Sequence, residues 1–299
     1  MKKSSLLAVL VLLLTTNLNA QITKAVPKGF WVACGGNEVL VINPDASDQQ
    51  SQIVWNWKVS EAEKQIPLHY QKLLVPLDEC KLIDNNTKLL LTSSGGATCI
   101  VDIKTKKVEF YAQTPMAHSA EILSNNLIAV ANSTHAKGNS LEIYHRSKPE
   151  LVLAKDSLYS GHGVSWDAER QVLYALGYDN LRTYKVGFDK GNKVELTLLK
   201  TVKLPDLGGH DLSVIDKDRL LVSTHHSVFN YNVVADTFEE FEPLKKIENV
   251  KSANFDPITN TLVYTKAEES WWTFNIYSQH PTRKIHIPST KLYKVRVAK

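Results

Sequence analysis

HSAEIL (118–123), HGVSWD (162–167) and HDLSVI (210–215) each put a histidine at the head of a short segment, and DECKLI (78–83) and KSANFD (251–256) repeat the arrangement with an aspartate and a lysine. The five heads follow one another at intervals of roughly forty residues, the length of one four-stranded propeller blade. A polar residue recurring at one register of a repeated strand is expected when equivalent strands line a central axis.

The segments after each head complete the unit. After HSAEIL come NLIAVANS (126–133), SLEIYHR (140–146) and ELVLAKD (150–156); after HGVSWD come QVLYALGY (171–178), NLRTYKV (180–186) and VELTLLK (194–200). Turn-forming pairs such as Asn85-Asn86, Asn125-Asn126, Asp216-Lys217 and Asp256-Pro257 separate the runs. No sustained 3.6-residue period competes with these strand-length runs, and Ser60 to Lys64 is the one short helical candidate. Five units are complete. A further segment supplies a second strand (Phe30 to Cys34), a third (Val39 to Asn43) and an outer one (Ile53 to Val59) without an inner strand, while LYKVRV (292–297) has no partners. Placing it in the gap predicts an all-β, six-bladed β-propeller closed by its C-terminal strand, with no sheet edge left open at the junction. Lys291 or Tyr293 then takes the sixth place in the ring.

Composition is consistent with one domain: 299 residues, 43% hydrophobic. Residues 1–20 read as a signal peptide, with Lys2 and Lys3, an apolar run from Leu6 to Leu14, and Leu18-Asn19-Ala20 as the cleavage site. Residues 21–299 would then form a periplasmic propeller, and the apolar run is too short for a membrane span. Removing Lys2 and Lys3 takes the formal charge from +4 to +2, which argues against a nucleic-acid partner. A monomer is expected. Cys34, Cys80 and Cys99 have no ligand-like spacing and read as small buried hydrophobes; a Cys80–Cys99 disulfide is the alternative.

In a propeller the heads of the inner strands and the loops joining second to third strands share one face. Asp78, His118, His162, His210 and Lys251 therefore meet at one mouth, joined by His69, His135, Tyr178, His225, His226 and Trp271. Seven of the ten histidines map there, which marks the face as a functional cleft. Channel-lining polar residues also serve structure alone, by bonding buried backbone or holding water. Trp55, Trp57 and Trp166 read as core between blades.

The residue set restricts the chemistry. Glycoside hydrolysis requires two carboxylates across the bond, and beside Asp78 only Glu79 is near, expected to face elsewhere. A GxSxG elbow is lacking, and a calcium-lactonase ring would be built of carboxylates and asparagines. Proton abstraction beside a carboxylate, the first step of β-elimination from a uronic acid, calls for a histidine or tyrosine base, a cation for the enolate-like charge and an acid for the leaving oxygen. His118, His162, His210, Tyr178 and Lys251 are the catalytic candidates, and Asp78, His135, His225, His226 and Trp271 the substrate-binding ones. Two alternatives stand beside this: a divalent metal ion held by His118, His162 and His210, and a propeller that binds a sugar or protein without chemistry.

The repeated histidine heads (AHSAEIL, SGHGVSWD, GGHDLSVID) and the closing KLYKVRV resemble a family of extracytoplasmic β-propeller proteins of polysaccharide-degrading bacteria, the ulvan oligosaccharide dehydratases in particular. The resemblance implies a carbon–oxygen lyase that eliminates water from the non-reducing-end uronic acid of an oligosaccharide, leaving an unsaturated sugar.

Overall fold

The computed structural model describes residue 22 and residues 24–47 and 52–299; the expected signal peptide lies outside them. The described strands form six four-stranded antiparallel sheets. Blade 2 runs Leu77–Ile83 (β4), Lys88–Ser93 (β5), Ala97–Asp102 (β6) and Val108–Gln113 (β7). Blade 3 begins with Ala117–Ile122 (β8) and Leu127–Asn132 (β9), blade 4 with Gly163–Asp167 (β12), blade 5 with Asp211–Asp216 (β16) and blade 6 with Val250–Asp256 (β20). Blade 1 closes the ring as expected. Its inner strand is Leu292–Val297 (β24), paired antiparallel to Trp31–Gly35 (β1), which continues into Glu38–Ile42 (β2) and Ile53–Lys58 (β3).

The apolar runs are continuous rather than alternating because both faces of each sheet are buried. In β9, Ile128 and Val130 pack on blade 2 with Leu90, Ile100 and Phe110, while Leu127, Ala129 and Ala131 pack on blade 4 with Val164, Leu173 and Tyr184. Successive side chains point to opposite faces, so one strand serves two interfaces. Each junction between neighbouring blades holds a cluster of this kind; the junction of blades 6 and 1 joins Val263, Ile276 and Ile285 to Trp31, Ala33 and Leu40. Trp57 is fully buried, and Trp55 and Trp166 pack against these clusters. Cys34, Cys80 and Cys99 are free and buried. Cys80 and Cys99 both lie opposite Leu91, one strand apart on either side, which keeps their sulfurs from bonding.

Two helical details differ from expectation. The 3₁₀ turn spans Val59–Ala62, and a six-residue helix, Leu68–Leu73 (α1), follows Pro67. Only Tyr70 of α1 is buried, so the segment has no apolar stripe for periodicity to detect.

A candidate acid–base site at the upper mouth of the channel

The inner strands share an irregularity that explains the recurring heads. In blades 1, 2, 3 and 6 the pairing with the second strand shifts at Tyr293, Asp78, His118 and Lys251, each an extra residue with no partner opposite. In blades 4 and 5, His162 and His210 donate their N–H to Leu176 and Ser223, residues already paired with Gly163 and Asp211. Such bulges re-aim a side chain at the cost of one ladder bond. The backbone two residues upstream turns left-handed at Met116, Ser160, Gly208 and Asn249, four of the six approaches. For Met116 and Ser160 this conformation costs about 1 kcal/mol or more each.

The turn has a use at two of them. His118 Nδ1 lies 3.0 Å from the carbonyl of Met116, and His162 Nδ1 lies 2.8 Å from that of Ser160. A carbonyl only accepts, so Nδ1 carries the proton in both rings and Nε2 keeps its lone pair. Burial pulls the pKa of His118 down to about 4 and that of His162 well below the ordinary 6.5, so both are neutral near pH 7.

The rings form a continuous arc: Tyr178 to His225 (6.0 Å between centroids), His225 to His210 (4.9 Å), His210 to His162 (5.7 Å), His162 to His118 (4.4 Å), His118 to Tyr293 (5.8 Å) and Tyr293 to Trp272 (5.4 Å). Lys251 is inserted behind His210, its Nζ 3.0 Å from Nε2, with the exposed Trp271 ring 4.9 Å from the same nitrogen. Burial, then the nearby Lys294, brings Lys251 down to about 7. Gly208 shapes the far end: at φ +71° it lies flat against His225, and a Cβ there would fall 2.1 Å from the imidazole.

Directly beneath, the next residue of the inner strands of blades 1, 2 and 5 enters the channel too. Glu79, expected to face elsewhere, therefore points inward with Asp211 and Lys294 and closes the channel with Arg296. Arg296 grips both carboxylates, through Nε and Nη2 to Glu79 (2.7 and 2.6 Å) and through Nη1 and Nη2 to Asp211 (2.8 and 2.6 Å). Lys294 Nζ lies 3.0 Å from Asp211 and 3.5 Å from Glu79, and donates to the carbonyls of His118 and His162 at 3.1 and 3.3 Å. The floor of the mouth thus supports the backbone of the two tethered histidines. Glu79 is wholly buried and engaged, so it does not complete a hydrolase pair with Asp78.

Asp78 itself accepts the N–H of Ser94 and, among the described residues, makes no bond to a histidine; the carbonyls of Met116 and Ser160 fix the tautomers instead. Burial raises Asp78 to about 7. A carboxyl whose folded pKa lies above its ordinary 3.8 gives stability that is full below 3.8 and lost as pH rises through 7. Asp78→Asn keeps an acceptor for Ser94 without the buried charge. Its stability relative to the native chain should climb between pH 5 and 7, by up to about 1.4 kcal/mol per pH unit. Equal denaturation-midpoint differences at pH 5 and pH 8 would contradict a titrating Asp78.

One family model matches nearly the whole chain: residues 1–298 fit the profile described as "Family of unknown function (DUF6528)". The chain belongs to the DUF6528 family. Among solved structures it is similar to Kuenenia stuttgartiensis hydrazine synthase, at 12% identity and a TM-score of 0.50, over 68% of this chain and 62% of that one. At that identity the likeness shows the propeller fold alone. No curated protein matches the sequence.

Most of the residues expected at the mouth of this DUF6528 propeller do converge. His118, His162, His210, His225, Tyr178, Lys251 and Trp271 join the arc or its backing, and His226 extends it at 6.0 Å from His225, held by Asp206 at 3.1 Å, which raises its pKa. Two do not join it by any ring contact or hydrogen bond among the described residues. His135 is exposed and its Nδ1 accepts the N–H of Lys137, while His69 packs on Tyr70 in α1. Tyr293, not Lys291, takes the sixth place. Among the described residues, no three His, Cys, Asp or Glu side chains are set to hold a metal ion, His118, His162 and His210 included. Lys251 already engages Nε2 of His210.

Proposed function

We propose that the upper mouth carries out β-elimination on the non-reducing-end uronic acid of an ulvan-type oligosaccharide in the periplasm. The observation that carries this reading is the tethered pair His118 and His162, neutral, with Nε2 lone pairs left free, above the cations Lys251 and Lys294. His162, the more exposed of the two, takes the proton from the carbon beside the carboxylate. The electron pair forms a carbon–carbon double bond, the bond from the next carbon to its oxygen breaks, and Tyr178 protonates that oxygen as it leaves as water. Lys251 stabilises the carboxylate as enolate character develops. Because the channel is closed one tier down, the mouth is a blind pit that suits a chain end.

A non-catalytic sugar-binding role is favoured by one observation: the Trp271 ring is 56% exposed over Lys251, a surface on which a sugar ring can stack. One assay separates the two. Incubation with uronide oligosaccharides should raise the ultraviolet absorbance of the conjugated unsaturated uronate. Saturable binding without any rise across a uronide panel would leave binding alone.

A further inference from the structure

Two thiols that take no part in the mouth meet at the junction of blades 1 and 2. On β1, Val32 and Cys34 face blade 2, while Trp31 and Ala33 face blade 6. Cys80, on the inner strand of blade 2, packs in the same cluster as Val32 and Cys34. Its Sγ lies 3.5 Å from the carbonyl oxygen of Val32 and 3.9 Å from that of Lys294, the β24 residue directly opposite Cys34. The Cys80 sulfur is thus seated over the β1–β24 ladder, beside the Cys34 thiol, and both cysteines are wholly buried. Burial, then the hydrogen-bonded Cys80 thiol, raises the pKa of Cys34 well above its ordinary value. A pair of this kind can serve packing alone. Its position gives it a second use. The strands β1 to β3 have no inner strand until β24 arrives from the far end of the chain, so before closure this part of blade 1 depends on its junctions with the neighbouring blades.

We propose that Cys34 and Cys80 are an oxidisable pair whose disulfide bond joins blade 1 to blade 2 and secures the edge on which the closing strand pairs. The oxidant is a small-molecule disulfide such as glutathione disulfide. One cysteine thiolate attacks a sulfur of that disulfide and releases one thiol; the second thiolate attacks the mixed disulfide and releases the other. The two cysteine sulfurs are oxidised, the two glutathione sulfurs reduced, and the two thiol protons leave with the released thiols. Because both sulfurs are buried, the exchange takes place when the junction opens. The test is to equilibrate the native chain with glutathione and its disulfide in urea just below the unfolding midpoint, then unfold it and label free thiols with N-ethylmaleimide. Cys99 alone should take the label, a digest should contain the Cys34 and Cys80 peptides joined and two hydrogens lighter, and the thermal midpoint should stand several degrees above that of the reduced chain. Cys34→Ala and Cys80→Ala should each label at both remaining cysteines and lose the response to reductant, while Cys99→Ala should keep it and take no label. Label on all three cysteines of the native chain, a glutathione adduct left on Cys34 or Cys80, a bond that includes Cys99, or a midpoint unmoved by the bond would each overturn the proposal.

Discussion

Arg296→Met is expected to lower the free energy of unfolding by about 3–5 kcal/mol, the cost of leaving a buried charge without its partner. Arg296 holds two wholly buried carboxylates through paired bonds of 2.6 to 2.8 Å, and methionine leaves Glu79 and Asp211 to share Lys294. Geometry enlarges the effect. Arg296 and Lys294 lie on β24, the strand that closes the ring, while Glu79 and Asp211 belong to blades 2 and 5, so the four charges tie the closure to opposite sides of the channel. Arg296→Lys keeps the charge but not the fork and should fall between methionine and the native residue. A pH signature accompanies this. Burial alone would raise Glu79, but Arg296 and Lys294 hold it at about 2 against an ordinary 4.5, and Asp211 is likewise held well down. A depressed carboxylate gives stability that is present above 4.5 and lost as pH falls toward 2. Urea denaturation at pH 7 and pH 3.5 should therefore show the Arg296→Met deficit shrinking on acidification. A deficit under 1 kcal/mol at pH 7, or one that does not change with pH, would show that the four charges do not tie the ring together.

The same closing strand shows where inference from sequence holds and where it stops. LYKVRV could be placed in the ring because a propeller lacking one inner strand has one vacancy, and the heads could be aligned because their spacing follows the blade. Runs such as LIAVAN identified strands, and their burial on both faces came with the packing of the blades. Strict alternation misplaced Glu79, since it puts neighbours on opposite faces; the bulge at Asp78 turns both into the channel, and nothing local in DECKLI marks that extra residue. The partnership of Arg296 with Glu79 spans 217 residues and is set by ring closure, not by spacing. Choosing Tyr293 over Lys291 needed the register of β24 on β1. His135 lies in the right kind of loop, yet its imidazole is spent on its own turn, a choice made by backbone geometry and not by composition.

His162→Ala should reduce kcat/KM for uronide elimination by about 10²- to 10⁴-fold, the usual contribution of a general base, with the β-rich circular dichroism unchanged. The fold should survive because His162 is only partly buried and its ring makes contacts with Ser160, His118 and His210, none of them in a blade-to-blade core. The pH profile of kcat/KM distinguishes a base from a merely structural ring, since it reports the groups of the free protein. Burial pulls His118 to about 4 and His162 well below 6.5, so the acid limb should fall below the ordinary histidine range. Loss of charge on Lys251 as pH rises through about 7 should set the alkaline limb. The optimum then lies below about pH 7, on the acidic side of the Lys251 titration. Lys251→Arg, whose guanidinium stays protonated throughout, should carry the alkaline limb upward by two units or more at some cost in rate, because an arginine fits poorly in the space between His210 and Trp271. An acid limb at 6.5 or above would mean that the base is a solvated histidine such as His226, not one of the tethered pair. An alkaline limb that stays put in Lys251→Arg would remove Lys251 from the carboxylate and leave Lys294, wholly buried beneath the histidines, as the cation that the elimination requires.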